Sequence, residues 1–144
     1  MYLHIQKNLS IFEPQKVHYK CKFQLYMNFS ADEKKACLYT LISLADCDGK
    51  RNLEEIDVLV RCNNVLGVTH EEMLGGISFA ATMMSLQSVE SIVKRMDSAK
   101  QMILEECMKK MMEADGPANE TEIGTWWGIE KQLDLPSWRA NKNK

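Results

Sequence analysis

The side chains best placed to do chemistry in this sequence are carboxylates gathered at two turns. Asp46, Asp48 and Glu55 surround an Asp48-Gly49 step, and Glu113, Asp115 and Glu122 surround Asp115-Gly116. Carboxylates set where two helix ends converge make a cluster of hard oxygen donors, which suits calcium, magnesium or manganese. The same residues have a plainer use as helix punctuation. Gly49 and Gly116 supply the positive φ that ends a helix. Asn52 and Asn119 then cap the next helix, with Glu55 and Glu122 as reciprocal partners three residues on. Asp48 and Asp115 can accept turn N–H bonds. Both uses stay open at this level. An EF-hand does not: Asp-Gly and the glutamate six residues later fit that loop, but its first ligand position falls on Leu44 and Met111.

The two turns belong to longer segments that match. Laid together without a gap, 41–68 and 108–135 share Asp48/Asp115, Gly49/Gly116, Asn52/Asn119, Glu55/Glu122, Ile56/Ile123 and Leu66/Leu133. Apolar positions also pair, as Leu41/Met108, Leu44/Met111, Leu59/Trp126, Cys62/Ile129 and Val68/Leu135. Two copies of one helix–turn–helix unit are expected.

The elements around them are helical from residue 28 onward. Ser30-Ala31-Asp32-Glu33 is a capping box opening a helix to about Cys47. The second helix runs from its Asn52 cap to Gly67, with Ile56, Leu59, Cys62 and Leu66 on its buried face. Thr69-His70-Glu71-Glu72 opens a third, to about Met83, and Ser85 to Met96 make a fourth. Ser98 caps a fifth to Glu113, and the sixth spans Asn119 to Leu133. Amphipathic helices joined by short loops must bury their faces against one another. The expected fold is therefore all-α: an antiparallel bundle of about six helices built from two pseudo-repeated helix–turn–helix units. Residues 1–27 stand apart as an extension. There Val17, Tyr19, Cys21, Phe23 and Leu25 alternate with polar residues at a strand period, as in a hairpin, unless the native start is Met27. Residues 28–136 form the domain, and 137–144 a basic, loose tail beyond Pro136.

The net charge of −2 hides an acidic body between two basic ends. Such a body argues against a nucleic-acid partner, because phosphate contacts need clustered Lys and Arg. The five cysteines are odd in number and contain no Cys-x-x-Cys, so neither a disulfide framework nor a zinc site is signalled. Reduced thiols imply a cytoplasmic setting, and no apolar run is long enough to span a membrane. The methionines Met83, Met84, Met102, Met108, Met111 and Met112 fall at helical spacing, as core residues do. Trp126 and Trp127 cannot share one helix face, which leaves Trp127 near the edge as a candidate partner contact. His4, His18 and His70 are isolated, and no catalytic motif appears, so an enzyme is not expected.

A helix, an Ala-Asp-Gly turn, four or five residues, Glu, and a helix closing on Leu-Gly-Leu resembles the TerB-like family associated with tellurite resistance. The matching residues run from Ala45 to Glu55 with Leu66-Gly67-Val68, and from Ala114-Asp115-Gly116 to Glu122 with Leu133-Asp134-Leu135. Cys47, Pro117 and Asp134 depart from that pattern. The resemblance implies an all-helical domain of bacterial stress-response systems that holds a metal at acidic positions and acts as a scaffold for partner proteins, without catalysis. Carried over residue by residue, the metal falls to Asp48, Glu55, Asp115 and Glu122, with Asp46 and Glu113 as lesser candidates. The competing expectation is a metal-free interaction scaffold whose acidic turns are only helix caps.

Overall fold

A computed structural model describes residues 28–46, 53–114 and 116–142. The alternating segment 17–25 and the residues Cys47, Asp48, Gly49, Asn52 and Asp115 lie outside the described residues. Among those described, the fold is all-helical, with α1 (Ala31–Ala45), α2 (Leu53–Leu66), α3 (His70–Leu74), α4 (Ile77–Thr82), α5 (Leu86–Arg95), α6 (Ser98–Met112), α7 (Glu120–Gln132) and α8 (Pro136–Lys142). None is long and apolar enough to cross a membrane.

Local chemistry starts half of these helices. Ser30 Oγ accepts the Glu33 N–H at 3.1 Å, while Glu33 Oε1 accepts the Ser30 N–H at 2.8 Å. Thr69 and Glu72 form the same reciprocal box at the start of α3, and Ser85 Oγ accepts the Ser88 N–H at 3.1 Å to open α5. Each bond satisfies an amide that the helix itself leaves without a partner.

Four expectations need correction. The third helix is two, because Gly75-Gly76 interrupts it and Gly76 sits at φ +85°, where a side chain would be strained. Asp97, not Ser98, holds the N-cap place of α6, and it makes no side-chain cap bond. Residues 137–142 are not loose: Pro136 opens α8, where a fixed φ and a missing N–H suit the first helical position. Finally, Ile56 is not on the buried face of α2. With Cys62 and Leu66 inward, the position two turns before Cys62 is Glu55, which is buried while Ile56 is turned outward.

The core gathers around α1, which packs against α2, α4, α5, α6 and α7, while α6 in turn meets α2, α7 and α8. Leu38, Leu41, Leu66, Leu104, Met108 and Leu133 fill the interior. Two capping glutamates also tie helices together. Lys100 Nζ of α6 lies 2.8 Å from Glu33, and Lys34 Nζ of α1 lies 2.9 Å from Glu72. Burial alone would raise Glu33, but Lys100 and the Ser30 N–H outweigh it and hold the carboxyl below its ordinary value. At Glu72 the Thr69 N–H and Lys34 act in the same direction. With both carboxyls depressed on folding, these ties are complete above the ordinary carboxylate range and weaken as pH falls through the lowered values.

Candidate functional site

The carboxylates singled out by spacing occupy distinct places in the fold. Glu55 and Glu122 stand in the first turns of α2 and α7, only 4% and 5% exposed. A negative charge there meets the positive end of the helix dipole. Glu122 Oε1 accepts the Asn119 N–H at 3.0 Å, and Asn119 Oδ1 accepts the Glu122 N–H at 2.8 Å. That box is complete, and Oε2 takes no part in it. Asp46 and Glu113 are the C-cap residues of α1 and α6, with their backbone N–H groups turned back into the helix. Both side chains are exposed. Gly116, at φ +126°, carries the chain from α6 toward α7. Among the described residues no three His, Cys, Asp or Glu side chains gather as a metal group. Asp48 and Asp115, which would complete each set, are outside them.

The Asn119/Glu122 box carries a direct expectation. Asn119→Ala should lower stability by about 1 kcal/mol, read as a drop in thermal or denaturant midpoint. An unchanged midpoint would mean that the cap contributes nothing to the start of α7.

Chemistry elsewhere is restrained. Cys37, Cys62 and Cys107 are buried free thiols. Burial, then neighbouring Glu33, pushes the Cys37 thiol up, and burial with Cys62 does the same for Cys107. Neutral thiols without solvent access are poor nucleophiles. Met108, Met111 and Met112 belong to the core, and Met84 packs against it, whereas Met83 and Met102 are exposed. Trp127 is partly exposed, its ring centroid 5.2 Å from that of Trp126, which packs against the core.

Two features escaped the sequence patterns. One is a groove of about 280 Å³ between α1, α5 and α7, lined by Tyr39, Ser43, Leu86, Val89, Thr125 and Gly128 among others. Its signal in the sequence is Gly128, a glycine inside a helix, where the missing side chain leaves room. The other is Glu130, fully buried on α7. Nothing in a charged residue at helical spacing announces that it points inward.

No family model matches the chain, and no curated protein sequence matches it. A solved structure does: a protein of unknown function from Porphyromonas gingivalis W83 is 24% identical, with a TM-score of 0.67 over 76% of this chain and 88% of that chain. That likeness is one of fold.

Proposed function

We propose that this chain is a non-enzymatic, TerB-like helical module of a bacterial stress-response system, working in the cytoplasm. In this account it holds a divalent cation at its two acidic turns and docks partner proteins through the outer faces of α2 and α7. The carrying observation is the matched placement of Glu55 and Glu122, two buried carboxylates that open helices beside the turns.

The module is taken to be two copies of one helix–turn–helix unit in an antiparallel bundle. In support, α1 and α6 are both 15 residues long. They begin at residues 31 and 98, and α2 and α7 begin at 53 and 120, the same spacing in each case. After α2 and α7 the chain turns at matching positions through residues of positive φ, Gly67 at φ +77° and Asp134 at φ +53°. The outer faces match as well. Ile56 and Ile123 are 43% and 41% exposed, and Val60 and Trp127 are 52% and 37% exposed. Paired apolar strips on a helix surface are the material of partner contacts, in which aromatic anchors dominate the energy.

A metal-free scaffold is the second reading, favoured by the Asn119/Glu122 box, which already accounts for one buried carboxylate as a cap. The docking surface has its own test. An Ile123→Ser/Trp127→Ala variant should melt within a few degrees of wild type yet lose a partner retained by the wild-type chain. Unchanged retention, or a collapsed melt, would remove that face from the account.

A further inference from the structure

Glu130 lies among α6, α7 and α8 with no solvent exposure. Neither of its carboxylate oxygens is reached by a hydrogen-bond donor among the described residues, and the buried Trp126 indole N–H, one turn before it, is likewise without an acceptor. An ionised carboxylate placed there has lost its water with nothing of normal geometry in exchange, which strongly disfavours the charged form. The titratable group that acts on it is Glu105 of α6. Glu105 also reaches α8, because its Oε2 accepts the Ser137 N–H at 3.0 Å. That amide sits in the first turn of α8, where the helix leaves it unpaired.

Cations nearby are committed elsewhere. Arg139 of α8 donates to the Asp134 carbonyl and stands 3.4 Å from Gln101 Oε1. Its guanidinium is 4.0 Å from the Asp134 carboxylate. Lys131 Nζ lies 5.8 Å from the centre of the Trp138 ring. On its other side, α7 faces α1 across the groove, where Tyr39, Thr40 and Ser43 bring no charge.

We propose that Glu130 keeps its proton in the folded chain, and that this proton, directed at Glu105, latches α8 onto α6 and α7. The Glu130 O–H donates to the Glu105 carboxylate, so the pair carries one negative charge and Glu105 still receives the Ser137 amide. Removing the proton to solvent leaves two carboxylates facing one another, with Glu130 cut off from water, where like charges cannot both be held. The strain is relieved by moving Glu105, and with it the first turn of α8. Burial first, then the Glu105 carboxyl, pushes Glu130 up to about 9. The folded value lies above the ordinary 4.5. The latch is therefore complete below that ordinary value and is lost as pH rises through the folded one.

Hydrogen exchange on the full chain at pH 6 and pH 9, expressed as protection factors, tests this. The α8 amides should lose tenfold or more of their protection at pH 9 while the α1 amides keep theirs. Glu130→Gln, which keeps the shape and cannot ionise, should hold α8 equally at both values and melt several degrees above wild type at pH 9. Equal α8 protection in wild type at pH 6 and pH 9 overturns the proposal, whether or not the variant folds. So does a Glu130→Gln variant that keeps the wild-type pH dependence. Protection of α8 restored at pH 9 by manganese or calcium in wild type, but not in Glu130→Gln, would make the pair a cation site and also overturn it.

Discussion

Leu41→Ala should lower the melting temperature by about 10 °C or more, the result of losing about 2–5 kcal/mol. Ile56→Ala should shift it by no more than about a degree or two. Leu41 is fully buried at the middle of α1, the helix against which five others pack. Truncation there removes transfer energy and leaves a cavity that no single neighbour can close. Ile56 keeps much of its surface in solvent, so its loss removes little from the interior. The contrast matters because apolar periodicity assigns both residues to buried faces. If Ile56→Ala cost as much as Leu41→Ala, α2 would present a different face to the core, and Glu55 would not be the buried carboxylate that the account requires.

What could be read from the sequence was what local chemistry decides. Ser30, Thr69, Ser85 and Asn119 each accept a backbone N–H three residues ahead, in contacts set within one turn of chain. Such contacts have the same signature in sequence and in space. Where a choice depends on distant packing, the signature failed. Pro136 reads as a stop, since proline ends helices from within, yet it is equally suited to begin one. Gly75-Gly76 lies inside a helical pattern that one glycine would merely weaken, but Gly76 takes a left-handed conformation and splits it. The face of α2 is turned by one residue because its first-turn glutamate occupies the inward position ahead of Cys62 and Leu66. Glu130 could not be read at all, because its burial depends on α8 covering it, and α8 was itself not expected.

For the site, the sequence located the acidic positions without deciding between cap and ligand. The structure divides them by place: Glu55 and Glu122 are buried at helix starts, and Asp46 and Glu113 are exposed at helix ends. A carboxylate at a helix N-terminus is favoured by the dipole and the cap whether or not a cation is near. Only addition of the ion separates the two roles.

The decisive measurement is a thermal melt of chelator-treated protein titrated with calcium, magnesium and manganese, beside an Asp48→Asn/Asp115→Asn variant. An ion that binds the folded chain alone adds about 2.7 kcal/mol at 100 times its dissociation constant. For a domain of this size that is a rise of several degrees. The account predicts such a rise for at least one of the three ions in wild type and its loss in the double variant. No rise with any ion, or an equal rise in the variant, would contradict it and leave the acidic turns as helix caps.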